Sequence, residues 1–202
     1  MTLIKKQIEH LKKDKKLAVV IDAIGVIKMA KDEDLYLSLQ QSIVSQQLSI
    51  KAANTIWGRF ELLFPNKYPH PELVLKMNVE KMRLVGLSYQ KAGYIQNIAR
   101  FSIEKTLDYA QLKKLSDEDL IEYLTQIKGV GRWTSEMILM FSLGRENVLP
   151  LDDLGIQTAM IKLYNIKADK KELKIKMKKI AAAWNPYSTL ACLYLWRYKD
   201  KK

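Results

Sequence analysis

The chain has 202 residues, with 34 lysines and arginines against 22 acidic residues, a net charge of +12 and a pI near 9.6. This excess is typical of proteins that bind nucleic acid or another acidic surface, although lysine-rich helices that only face solvent produce it too. A single cysteine, Cys192, excludes an internal disulfide, a four-cysteine iron–sulfur cluster and a cysteine-rich zinc site.

Sequence patterning predicts an all-α protein. Apolar residues recur at helical spacing, and no alternation typical of strands is present. A proline cluster at 64–71 predicts a surface loop rather than a domain linker, and short helical pieces follow it up to residue 87. The main predicted helices cover about 2–13, 17–30, 35–45, 49–60, 88–103, 109–112, 116–127, 132–143, 153–164, 173–184 and 187–198.

No uncharged stretch approaches the roughly 18 residues that a membrane span needs, and the N-terminus begins as a charged helix without a signal-peptide core. We therefore expect no membrane association and a cytoplasmic, nucleoid-associated location.

Two helices flank a glycine turn at 124–134. Lys128 and Gly129 end the first helix, and the Gly-Val-Gly run predicts positive φ at both Gly129 and Gly131, with Val130 turned inward. Amide groups at the start of the next helix would favour an anion. The stretch therefore predicts a hairpin that grips phosphate, although a plain αα-hairpin corner would give a similar pattern.

Two adjacent carboxylates, Asp152 and Asp153, follow at the start of another predicted helix, and Asp153 lies twenty residues past Trp133. Either aspartate could serve simply as the helix N-cap.

This combination resembles the helix-hairpin-helix DNA glycosylases that carry a glycine-rich hairpin followed by an aspartate. It is most similar to the alkylation-repair branch, 3-methyladenine DNA glycosylase II, from about Asp34 to Tyr198. Supporting stretches are 45–53, which resembles the segment that pushes a wedge into the minor groove, and the family-like segments 86–92 and 184–196.

The resemblance implies a two-lobed helical fold. One lobe would cover about 31–145 and contain the helix-hairpin-helix at 118–143, and the other would combine 1–30 with 146–202. The active-site cleft would lie between them, with Asp153 at the seam.

It also implies that the partner is double-stranded DNA containing damaged bases and that the protein is a monomer. No cofactor is required, and a Na⁺ or K⁺ ion at the hairpin is an option. Implied DNA contacts are Lys128, Gly129, Gly131, Arg132, Thr134, Gln46, Gln47, Leu48 and Ser49, with Gln47 and Leu48 both candidates for the wedge. The cation ligands would be main-chain carbonyls of Thr125, Ile127 and Val130.

For chemistry, the resemblance assigns catalysis to Asp153, whose carboxylate would stabilise an oxocarbenium-like sugar and orient water. Related enzymes that also cut the backbone carry a lysine where this chain has Trp133, which predicts hydrolysis without lyase activity. The lesion pocket would be lined by Trp133, Trp196, Met137 and Leu154. The family can carry tyrosines at the positions of Met137 and Leu154, and each tryptophan could equally be a core residue.

The predicted function is release of alkylated purines, with 3-methyladenine first and 7-methylguanine and hypoxanthine as further candidates. The alternative is a non-catalytic helix-hairpin-helix module that binds distorted or abasic DNA.

Overall fold

The computed structural model describes residues 3–27 and 33–200, and within those ranges all regular secondary structure is helical. Thirteen α-helices are described there: α1 (Leu3–Leu11), α2 (Lys15–Ile24), α3 (Leu35–Ser45), α4 (Ile50–Glu61), α5 (Pro71–Lys76), α6 (Val79–Leu84), α7 (Tyr89–Glu104), α8 (Tyr109–Leu112), α9 (Asp117–Thr125), α10 (Arg132–Met137), α11 (Leu154–Tyr164), α12 (Lys170–Ala181) and α13 (Ser188–Asp200). The predicted all-α class is confirmed.

Helix starts follow from capping side chains near the predicted positions. Asp34 accepts a hydrogen bond from the Leu37 amide, and Ser88 and Ser116 cap α7 and α9 in the same way. Each cap satisfies an amide that the first turn of a helix leaves unpaired. These local signals set the starts of the helices because they need no distant partner.

The end of helix α2 differs most from its prediction. Helix α2 ends at Ile24 instead of continuing to residue 30, because Gly25 adopts φ +78° and breaks the helical path. The remainder of that predicted helix, 28–30, lies outside the described residues. On α2, Val19 is 69% exposed, whereas Val20 occupies the core.

The helix after the hairpin also departs from regular geometry. It is α-helical to Met137 and continues as a π-helical turn over Ile138–Ser142. Such turns are rare and are found mostly as single insertions, often at functional sites.

The chain forms two compact units, which divide between residues 143 and 144; the sequence placed this boundary at 145–146. In the unit made of 31–143, the long helix α7 packs against α3, α5 and α6, and α10 packs against α9 and α3. The core of this unit includes Leu39, Ile95 and Leu124. The predicted cleft between lobes stays a prediction.

In the unit made of 1–30 and 144–202, α13 packs against α11 and α2. Asp14 caps α2 and also accepts hydrogen bonds from the Tyr164 hydroxyl, at 2.6 Å, and the Trp184 indole, at 3.0 Å. Burial raises the pKa of the Asp14 carboxyl, but these hydrogen bonds outweigh it and hold that pKa below its usual value. The buried Trp184 is thereby tied to the start of α2.

Candidate nucleic-acid interface and carboxylate site

The hairpin between α9 and α10 depends on a glycine at position 129. Gly129 adopts φ +106°, and a Cβ atom built there would fall within the ring of Tyr94 on α7. The backbone conformation and the close approach of the ring therefore both require glycine. A second contact from α7 comes from Asn97, whose amide donates to the Lys128 carbonyl at 3.1 Å.

The other glycine of the hairpin behaves differently from the prediction. Gly131 has φ −103° and ψ 179°, so the turn contains one positive φ rather than two. Gly131 instead provides the extended N-cap of α10. Val130 is 5% exposed, which confirms that it turns inward, and its amide donates to the Ile127 carbonyl at 2.9 Å.

Arg132, at the first position of α10, is held by carboxylates on both sides. Its guanidinium makes a two-pronged contact with Glu118 of α9, one arm of which measures 3.0 Å, and its Nε lies 3.4 Å from Glu136. The arginine thus joins the two helices of the hairpin, and phosphate would have to compete with Glu118 for it.

A tight turn at 45–48 connects α3 to α4. The Leu48 amide donates to the Ser45 carbonyl at 3.1 Å, Gln46 has φ −50° and ψ 128°, and Gln47 has φ +57°. These values define a type II turn with Gln47 at its third position, where glycine or asparagine is the usual residue. The exposed side chain of Gln47 is therefore presented from a conformation that costs a non-glycine residue about 1 kcal/mol or more.

Two side chains hold this turn. The Lys91 ammonium on α7 donates to the carbonyls of Val44, at 2.7 Å, and Gln46, at 2.8 Å, and burial lowers the pKa of that ammonium. The side-chain amide of Gln46 donates to Thr134 Oγ1 of α10 at 3.2 Å. The structure therefore directs the Lys91 ammonium into the protein, toward the turn.

Met137 lines a cavity of about 350 Å³ within the 31–143 unit. The other residues that line this cavity are not among the predicted site residues. Trp57 and Phe141 both border this cavity, and Phe141 is 38% exposed. Three serines of α3 (Ser38, Ser42 and Ser45), Gln41, Ala53, Asn54 and two residues of the π-helical turn (Ile138 and Ser142) complete the lining. The serine spacing of four and three residues places all three on one face of α3, a signal that the sequence contained.

The predicted catalytic carboxylate lies at the N-terminus of α11. Asp153 Oδ1 accepts hydrogen bonds from the Ile156 amide, at 2.8 Å, and from the Trp196 indole, at 2.9 Å. Asp153 is therefore the N-cap of the helix, while the neighbouring Asp152 forms an ion pair with Lys174. Capping and a catalytic role are compatible, because the cap fixes the orientation of the carboxylate.

Gly155 makes room for this arrangement. A Cβ atom at position 155 would lie 3.0 Å from Asp153 Oδ1 and 3.0 Å from Trp196 Cδ1. Carbon atoms in ordinary contact stay about 3.5 Å apart or more. The absence of a side chain at Gly155 therefore lets α11 and α13 bring the carboxylate and the indole together.

The other predicted site residues occupy varied environments. Trp133 is half-buried at the start of α10, Leu154 is 76% exposed on α11, and Leu48 is 40% exposed. Ser49 caps α4 by accepting from the Ala52 amide, and Thr134 is almost wholly buried. Their roles in lesion or DNA binding stay predictions.

Two helices joined by a glycine hairpin, with a fixed carboxylate following in the chain, define a helix-hairpin-helix protein equipped to contact a nucleic-acid backbone. Residues 41–186 match the model of the HhH-GPD superfamily base excision DNA repair proteins. The chain belongs to this superfamily.

Among its relatives, DNA-3-methyladenine glycosylase 1 of Schizosaccharomyces pombe is 41% identical over 165 residues, which cover 80% of this chain and 71% of that protein. A crystal structure of DNA-3-methyladenine glycosidase from Bacillus halodurans aligns with a TM-score of 0.80 at 38% identity, over 99% of this chain and 90% of that one. A Schizosaccharomyces pombe 3-methyladenine DNA glycosylase in complex with abasic DNA aligns with a TM-score of 0.84 at 35% identity, over 95% of both chains.

No helix in the described ranges 3–27 and 33–200 is long and apolar enough to cross a membrane.

Proposed function

We propose that this protein is a monofunctional DNA glycosylase that hydrolyses the N-glycosidic bond of alkylated purines in double-stranded DNA. The observation that carries the proposal is the fixed carboxylate of Asp153 in a chain that belongs to a base excision repair superfamily. The relatives named as 3-methyladenine glycosylases support alkylated purines as the substrate class, with 3-methyladenine first and 7-methylguanine next. Hypoxanthine, a deaminated and uncharged purine, is a further candidate outside that class.

Asp153 would act on the sugar rather than on the base. Breaking the N-glycosidic bond develops positive charge on the anomeric carbon, and a carboxylate held beside it stabilises that charge and orients water. Because an alkylated purine is already cationic, it leaves without a second carboxylate to protonate it. The Ile156 amide and the Trp196 indole would keep the carboxylate in place during the reaction.

The reaction would end at an abasic site. Cutting the backbone by a lyase mechanism needs an amine that forms a Schiff base with the sugar. Related bifunctional enzymes place a lysine directly after the arginine of the hairpin, and this chain has Trp133 there. An indole has no nucleophilic amine, so strand cleavage would require later treatment with alkali or another enzyme.

The extruded base would bind in the cavity that Met137 lines. Trp57 and Phe141 offer aromatic surfaces on which a cationic purine can stack. The hydroxyl groups of Ser38 and Ser42 can donate to or accept from a ring edge. At about 350 Å³ the cavity falls in the size range of small-molecule sites.

The hairpin would hold one phosphate of the bent duplex through the amides of Gly129, Gly131 and the first turn of α10. This contact reads no sequence, which suits an enzyme that searches all DNA. The carbonyl groups of Thr125, Ile127 and Val130 are oxygen ligands of the kind that alkali cations take, and we extend the proposal to a structural Na⁺ or K⁺ there. We further propose that the protein acts as a monomer at the cytoplasmic nucleoid.

A release assay over a panel of damaged-base duplexes, followed by alkali, tests the proposal. We expect free 3-methyladenine and alkali-dependent strand breaks. Strand breaks without alkali would overturn the monofunctional mechanism, and binding to abasic duplex with no base release would favour the non-catalytic module.

A further inference from the structure

We propose that Lys91 is a positioning residue that fixes the type II turn at 45–48 and so determines how Gln47 meets the duplex. The inference rests on the proposed function, since it concerns the segment that would enter the DNA. It assigns a task to Lys91, whose ammonium donates to the Gln46 carbonyl within the turn and to the Val44 carbonyl just before it.

The geometry of the turn identifies what Lys91 controls. Type I and type II turns differ mainly in the orientation of their middle peptide, which here joins Gln46 to Gln47. The carbonyl of that peptide belongs to Gln46, and it accepts a hydrogen bond from Lys91 at 2.8 Å. The ammonium therefore holds the peptide in the orientation that gives Gln47 its positive φ.

Without the hydrogen bond from Lys91, we expect the turn to change from type II toward type I. Gln47 is neither glycine nor asparagine, so its left-handed conformation is disfavoured locally and must be imposed by surroundings. In a type I turn the same residue would take a negative φ, and its side chain would leave from a different direction. The exposed Gln47 side chain would then point in a different direction from the one that it has in this structure.

The clamp also connects the turn to the hairpin. Lys91 anchors the turn to α7, and Gln46 anchors it to Thr134 of α10, directly after the glycine hairpin. The turn that would enter the DNA and the hairpin that would grip phosphate are therefore held in a fixed position relative to each other. This coupling is useful because a base can be extruded only while the backbone on either side is held.

The alternative for Lys91 is a phosphate contact, and salt dependence separates the two roles. Each phosphate contact contributes a slope of about −0.9 to log K against log salt concentration. A clamp that faces carbonyls contributes none. Replacement of Lys91 by methionine should therefore leave the salt slope for an abasic duplex unchanged, as should Lys81→Met, which removes the same charge from an exposed position on α6.

The deciding experiment measures insertion without requiring catalysis. The protein is bound to a duplex that carries 2-aminopurine next to an abasic site. The fluorescence of 2-aminopurine reports the unstacking of neighbouring bases. We expect wild type and Lys91→Arg, which keeps charged donors, to give the full signal, and Lys91→Met to lose most of it. Under single-turnover conditions Lys91→Met should lose about tenfold in release of a paired lesion, the loss expected for about one charged hydrogen bond, but less than twofold when the lesion lies unpaired in a bulge.

A double-mutant cycle guards against simple misfolding. Asparagine tolerates the left-handed region, so Lys91→Met should cost less in a Gln47→Asn background than in wild type. Equal costs in both backgrounds, an unchanged fluorescence signal, or a salt slope shallower by about 0.9 would each overturn the clamp. Failure of the wild type to release any base would refute the proposed glycosylase, while the fluorescence and salt measurements would still decide the role of Lys91.

Discussion

Replacing Gly155 with alanine should impair catalysis while leaving the fold intact. The added Cβ would meet Asp153 Oδ1 at 3.0 Å and the Trp196 indole at 3.0–3.1 Å, and α11 packs against α13. One of these groups must move by a few tenths of an ångström. That shift would stretch the 2.9 Å hydrogen bond between the indole and the carboxylate toward the limit of a useful contact.

The size of the effect follows from that hydrogen bond. Hydrogen bonds to charged groups contribute about 1.5–3 kcal/mol, which corresponds to roughly 10- to 160-fold in rate if the orientation of the carboxylate is lost. Alanine is favoured over glycine in helices by up to about 1 kcal/mol, which offsets the crowding in the free energy of unfolding. We therefore expect a melting temperature close to wild type and a large fall in kcat.

Single-turnover release from a methylated duplex, run beside thermal unfolding, measures both quantities. Gly93→Ala is the matched control, because a Cβ there meets no atom within 4 Å and the residue lies inside helix α7. It should preserve the rate. Full activity of Gly155→Ala at unchanged stability would refute the idea that Asp153 must be held by Trp196.

Three further predictions concern the hairpin and the core. Gly129→Ala should lower the melting temperature and weaken binding to duplex DNA, because its Cβ collides with Tyr94 and its φ is +106°; wild-type stability in thermal unfolding would contradict this. Glu118→Gln should tighten binding by about two- to threefold at low salt, because Arg132 loses a competing carboxylate; fluorescence anisotropy that shows weaker binding would argue against Arg132 as a DNA contact. Because the pKa of Asp14 is lowered in the folded state, its stabilisation is present above the unfolded value near 3.9 and is lost as pH falls through the folded pKa. The stability gap between wild type and Asp14→Asn should therefore shrink on acidification, and a gap that widens in melting curves from pH 6 to pH 3 would exclude this origin.

Local sequence signals predicted the helices well, because their causes lie within a few residues. Ser88 and Ser116 cap helices through amides three positions away, and the apolar spacing of α7 needs only its own periodicity. The same locality explains the errors. The residues next to Gly131 do not predict its extended backbone conformation. The π-helical turn at 138–142 has no capping residue or glycine that would predict it.

The contacts that give the candidate site its geometry join residues far apart in the chain. Trp196 meets Asp153 across 43 positions, and Lys91 reaches Val44 across 47. The resemblance singled out Trp196 and Asp153 separately, but pairing them required the packing of α13 on α11. The orientation of Lys91 was likewise hidden, because a lysine on a helix more often faces solvent.

Asp153→Asn is the most direct test of whether the Asp153 carboxylate performs the chemistry. Asparagine keeps an oxygen that can accept from the Ile156 amide and the Trp196 indole, so the cap and the fold should survive while the negative charge is lost. We predict that single-turnover release of 3-methyladenine falls by about 100-fold or more, whereas Asp152→Asn, which alters only the pair with Lys174, stays close to wild type. Full activity of Asp153→Asn would show that the Asp153 carboxylate does not perform the chemistry.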